Sequence, residues 1–122
     1  MQNGEIVDTQ ISSLSSMDEV HAASRGRLNL NATSGKAGAW TAGTNDNSQW
    51  LQIDLRNNNI RVTGVATQGR NGRHAQWVTK YKLQFSDDGV NFQFYKKPEH
   101  TALEVCTKSI QLPTFNVRYS FF

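Results

Sequence analysis

The sequence predicts an all-β domain, an antiparallel β-sandwich or barrel. Three observations carry this. Residues 77–85 alternate strictly, with Trp77, Thr79, Tyr81, Leu83 and Phe85 on one face and Val78, Lys80, Lys82 and Gln84 on the other. That is the pattern of a half-buried strand, whose successive side chains point to opposite sides of the pleat. Further short strand-like runs recur at residues 49–55, 62–70, 92–95 and 110–122, the near-regular spacing of a sandwich or barrel. Turn chemistry separates them, as at Asp87-Asp88-Gly89, where glycine after aspartate suits a left-handed turn position.

A chain of 122 residues can build one domain around one core. Hydrophobic residues make up 37% and charged residues 19%, ordinary for a polar globular domain and not the composition of a disordered chain. The net charge of +3 is spread out with no run of like sign. It falls short of a nucleic-acid footprint, so no nucleic-acid partner is expected. No stretch is apolar for long enough to span a membrane. Residues 1–8 carry neither the basic nor the apolar region of a secretory signal. Cys106 stands alone, so no internal disulfide is expected, and it reads as a small buried hydrophobe.

In chain order, residues 9–16 read as a short edge strand anchored by Ile11 and Leu14. Residues 17–24 and 31–38 are loops, and 41–48 is turn chemistry rich in Asn, Asp and Gly. Asn57-Asn58-Asn59 turns the chain between two strands. Residues 68–76 form a polar, basic, glycine-punctuated loop ahead of the alternating run. Residues 86–91 close a hairpin onto a strand at 92–95. Residues 96–108 are irregular, with Pro98 stopping any ladder. Phe115, Val117, Tyr119 and Phe121 then share one face of a last strand.

These residues resemble a discoidin domain, also called the coagulation factor V/VIII type C domain. The similarity runs through Asp8-Thr9-Gln10-Ile11, Arg27-Leu28-Asn29, Gly38-Ala39-Trp40 and Gln49-Trp50-Leu51-Gln52-Ile53-Asp54-Leu55. It is strongest at residues 62–70 and continues through Trp77-Val78-Thr79-Lys80-Tyr81-Lys82 and Phe85-Ser86-Asp87-Asp88-Gly89. The resemblance implies a distorted jelly-roll barrel, like a galactose-binding domain, with ligand-binding loops called spikes at one end. By motif these are residues 15–24, 34–39 and 70–76. It also implies that Arg27 and Asp54 pair as ions and that Trp40, Trp50 and Trp77 belong to the core. The chain departs from the family pattern in three ways. It lacks the terminal cysteines, the stretch after residue 95 is short, and the family's final strand has no counterpart. The expectation is a single domain over residues 1–122, truncated at its C-terminal end, with an unpaired sheet edge.

No catalytic constellation is present. His21, His74 and His100 lack metal-ligand spacing, no nucleophile elbow exists, and Gly69 and Gly72 lack the helix and Lys-Ser/Thr pair of a phosphate loop. An enzyme is therefore not expected, and no cofactor is implied beyond a structural calcium that Asn45-Asp46-Asn47 could help to hold. The third spike gathers Arg70, Asn71, Arg73, His74 and Gln76, a hydrogen-bonding set whose guanidinium forks suit anionic or polyhydroxyl ligands. The first carries Met17, Asp18, Val20 and His21, and the second Lys36. Membrane-binding relatives present aromatic tips on the first spike, and this chain has none. Asp18 and Glu19 would also be repelled by an anionic leaflet. Asn31-Ala32-Thr33 is a glycosylation sequon.

The expected function is a non-enzymatic extracellular module for cell adhesion or matrix recognition. Its spike loops would take a glycan or a matrix or cell-surface protein. The alternatives are a peripheral module for anionic phospholipid and an accessory module of a carbohydrate-active enzyme.

Overall fold

A strand needs apolar residues at every second position and a neighbour for its backbone groups. In the computed structural model, residues 5–56, 62, 65–71, 76–95 and the backbone of 116–121 are described. Five strands are present among them: β1 Ile11–Ser13, β2 Trp50–Asp54, β3 Tyr81–Ser86, β4 Gln93–Phe94 and β5 Asn116–Phe121. They form one antiparallel sheet in the order β1-β2-β5-β3-β4. The fold is all-β, as expected.

The register explains why this arrangement is stable. Ile11 pairs with Ile53, Ile53 with Val117, and Val117 with Phe85. Leu51 pairs with Tyr119, and Tyr119 with Leu83. Directly paired residues share a face, so two cross-strand rows gather the apolar positions of β1, β2, β5 and β3 on one side. Ile11, Leu51, Ile53 and Leu83 are buried there, and Val65 joins Leu83 with Leu55, Val62, Phe85 and Tyr95 around them. The last strand in sequence thus lies at the centre. The edges of the described sheet are β1 and β4, of three and two residues, too short to template another strand.

Several expectations need correcting. Residues 9–16 do contribute an edge strand, Ile11–Ser13, and Leu14, though its backbone donates to Trp50 O at 3.1 Å, is exposed rather than an anchor. The loop at 17–24 contains two single 3-10 turns, Glu19–His21 and Ala23–Arg25. The alternating run begins pairing at Tyr81, not Trp77, because the ladder with β5 ends at Tyr81 opposite Phe121. Residues 77–80 continue the pattern, have no strand partner among the described residues and are exposed. Alternation fixes which side a residue points to; it does not fix where pairing starts. None of the described residues of 62–70 is in a strand, although Val65 is buried. The hairpin at 86–91 closes as expected, with Gly89 at φ 74° and Asp88 Oδ1 accepting from the backbone of Val90 and Asn91 at 2.8 Å. The turn at 57–59, the 96–108 stretch with Cys106, and Phe115 lie outside the described residues.

Ile53 sits in the row that joins β1, β2, β5 and β3. Ile53→Ala should lower stability by about 2–4 kcal/mol, measured as a fall in the urea midpoint with an unchanged slope. A loss below about 0.5 kcal/mol would contradict this placement of the core.

Candidate functional site

The three spikes lie in segments too polar to pack, so side-chain hydrogen bonds must hold them. The first spike is capped by Asp18. Its Oδ1 accepts from the His21 backbone at 2.9 Å and lies 2.7 Å from His21 Nδ1. A carboxylate can only accept, so the ring proton sits on Nδ1. The hydrogen bond to the His21 ring is the main reason the Asp18 carboxyl is held below its usual range. His21 is only 8% exposed, and its Nε2 is buried without a partner among the described residues. Its ring therefore lies beneath the loop. Met17 and Val20 are the exposed apolar tips, at 52% and 37%.

The second spike is tied to the first. The Ala37 backbone donates to Val20 O at 3.0 Å, and Arg25 Nε donates to Ala37 O at 2.6 Å. Thr33 and Lys36 bridge across a turn in which Gly35 takes φ 76°, leaving Lys36 exposed. The third spike is closed at its base. Arg70 donates from its backbone to Gln76 O and from Nη1 to Gln76 Oε1, both at 2.8 Å. Asn71 donates to Leu30 O at 3.3 Å, and Gln68 Oε1 accepts from the Asn29 backbone at 3.0 Å. Arg73 and His74 lie outside the described residues.

Beside this base an open cleft of about 650 Å³ runs between residues 39–49 and 68–79. Arg70 and Gln76 are the sequence candidates that line it. Trp77 forms part of its wall and is 65% exposed, contrary to its expected place in the core. It also borders a second cavity of about 360 Å³ on the side of Leu28 and Leu51. Gln68, Thr44, Asn45 and Asp46 supply polar groups to the larger cleft. The sequence alone assigned none of these residues to a ligand cleft: Asn45 and Asp46 read as turn or calcium residues, and Trp77, weighed as a stacking platform for a sugar ring, read as core. The available signal was position: Trp77 directly follows the basic loop, four residues before the paired strand starts.

One buried side chain builds the far wall. Gln49 Oε1 accepts from the Ser15 hydroxyl at 2.6 Å, while its Nε2 donates to Thr44 Oγ1 at 2.7 Å and to Asp46 Oδ2 at 3.0 Å. Ser15 Oγ also accepts from the Gly43 backbone at 2.9 Å, and Trp40 Nε1 donates to Ser15 O at 3.1 Å. The Ser48 backbone bond leads the interactions that hold the Asp46 carboxyl below its usual range, followed by Thr44 and Gln49. These groups flank Asn45-Asp46-Asn47, the triplet that could help to hold a structural calcium. Among the described residues no group of three or more His, Cys, Asp or Glu could hold a metal ion. Arg27, expected opposite Asp54, donates to Asp8 Oδ1 at 2.6 Å, and Asp54 Oδ1 accepts from the Arg56 backbone at 2.8 Å.

Gln49→Leu should therefore cost about 1–3 kcal/mol, because it strips partners from polar groups around a buried position. Chemical denaturation measures this, and an unchanged midpoint would show that the network does not hold the wall.

The arrangement matches known proteins. Discoidin II of Dictyostelium discoideum superposes with a TM-score of 0.67 at 21% identity, covering 91% of this chain and 48% of that one, a likeness of fold. Lactadherin of Rattus norvegicus is 39% identical over 101 residues, 80% of this chain and 23% of that protein. Lactadherin of Bos taurus is 52% identical over 65 residues, 52% of this chain and 15% of the relative. The chain therefore spans less than a quarter of the length of the two lactadherins and about half that of discoidin II. Among the described residues no helix is long and apolar enough to cross a membrane. The profile of the F5/8 type C domain matches residues 10–119, and the chain belongs to that family.

Proposed function

We propose that this chain is a non-catalytic extracellular binding module for cell adhesion or matrix recognition, and that it takes a carbohydrate in the cleft beside Trp77. The single observation that carries the choice of ligand is an exposed indole walling a cleft rich in amide, hydroxyl and guanidinium groups. A pyranose has an apolar face that packs on an aromatic ring and hydroxyls that need directional partners. Arg70, Gln76, Gln68 and Thr44 are placed to supply them. The spike tips, including Lys36 and Asn71, would meet the ligand's outer parts or the surface that bears it.

A phospholipid reading rests on the exposed Met17 and Val20. Asp18 stands between them, and hydrogen bonding to His21 favours its charged form. A carboxylate at that tip opposes docking on an anionic leaflet.

Glycan-array binding followed by calorimetry on the best sugar tests the reading. Trp77→Ala should weaken binding about tenfold, the ~1.4 kcal/mol expected for a lost aromatic contact, with little change in thermal midpoint. Vesicles with and without phosphatidylserine should co-sediment equally poorly. Binding to phosphatidylserine vesicles with no glycan retained would replace the carbohydrate reading with the lipid one.

A further inference from the structure

We propose that Asn31 is an N-glycosylation site and that its glycan stands beside the third spike. The proposal rests on the extracellular reading above. Asn31-Ala32-Thr33 is the only Asn-x-Ser/Thr in the chain, and its middle residue is not proline. The structure adds what the motif alone lacks. Asn31, Ala32 and Thr33 are all exposed. Among the described residues the Asn31 side chain enters no hydrogen bond or ion pair, so a glycan on it breaks none of theirs.

The backbone of the same segment is fixed from the inside. A Cβ on Gly38 would lie 2.9 Å from Leu30 O and 3.0 Å from Ala32 N, so the 30–32 backbone packs directly on that glycine. Arg25 Nη2 donates to Asn31 O at 3.2 Å, and Thr33 exchanges backbone hydrogen bonds with Lys36. The sequon is thus a surface loop with a held backbone and free side chains, the form in which a bulky polar modification is accommodated.

The chemistry requires an oligosaccharide carried on a lipid pyrophosphate and the transferase of the secretory pathway. Asn31 Nδ2 attacks the anomeric carbon of the sugar. A C–N bond forms there as the C–O bond to phosphate breaks. The pyrophosphate leaves with the bonding pair, and the amide gives up one proton to a base of the transferase.

The location gives the modification a consequence. Asn71 of the third spike donates to the carbonyl of Leu30, the residue before the sequon. A glycan on Asn31 therefore flanks the spike at that point. It would obstruct a large ligand lying across Asn71 more than a single sugar in the cleft beside Trp77.

The test is expression of the full chain behind a secretion signal in mammalian cells. A mobility shift removed by peptide N-glycosidase is read for wild type, Asn31→Gln, Thr33→Ala and Thr33→Ser. The shift should be present in wild type and Thr33→Ser and lost in the other two. Digestion in heavy-oxygen water should place the isotope label on the peptide containing residue 31. Translation of the same chains with microsomes gives the same readout without requiring a folded, secreted product. An unshifted wild-type chain in the microsomes, or a secreted wild type with no label at Asn31, overturns the proposal. Loss of sugar binding by the deglycosylated protein would count against the carbohydrate reading instead and leave the occupancy of Asn31 unaffected.

Discussion

Everything described depends on the pairing of β5 with β2 on one side and β3 on the other. These ladders join the N-terminal half of the sheet to the hairpin that follows the third spike. Both contacts are distant in sequence, so chain-closure entropy must be met before either ladder is rewarded. The two apolar rows offset that cost by burying Ile53, Leu51 and Leu83 in register. A shift of one residue in β5 would move its whole set of side chains to the opposite face. The register is therefore set by burial as well as by backbone hydrogen bonds.

The site inherits this constraint. β2 begins one residue after Gln49, and β3 begins four residues after Trp77. The sheet sets the separation of the two cleft walls at their bases, and side-chain bonds then shape each wall. On one wall Gln49 holds Ser15, Thr44 and Asp46 together. On the other, the paired bonds of Arg70 with Gln76 close the third spike and present Trp77 beside it. The first and second spikes join this frame through Thr41, which accepts from the Met17 backbone at 2.9 Å and lines the cleft. Loops of low apolar content are held at the rim's base by these side-chain and backbone bonds.

The fold class and the family were legible in the sequence, because alternation, turn residues and ordered motifs all point the same way. Three things were not. Where β3 begins depends on how far β5 reaches, a non-local fact invisible in the pattern of residues 77–85. The exposure of Trp77 follows from that, so an indole read as core from its alternation became the wall of a cleft. The role of Gln49 was also hidden, since a lone buried glutamine has no periodicity to reveal it. Its three partners come from residues 15, 44 and 46, brought together only by the fold. Arg70 and Gln76 were singled out for their charge and polarity, and the bond that joins them was not visible in the sequence.

The central proposal is that Trp77, exposed and clear of the core, faces a ligand. The most direct measurement is the intrinsic fluorescence of the protein during titration with the sugar selected on the array, in wild type and in Trp77→Phe. An exposed indole that becomes covered by ligand should shift its emission to shorter wavelength in wild type. In Trp77→Phe the shift should vanish, while the emission of Trp40 and Trp50 stays as it was. Saturable sugar binding with no spectral change in wild type, or the same shift persisting in Trp77→Phe, would contradict the account.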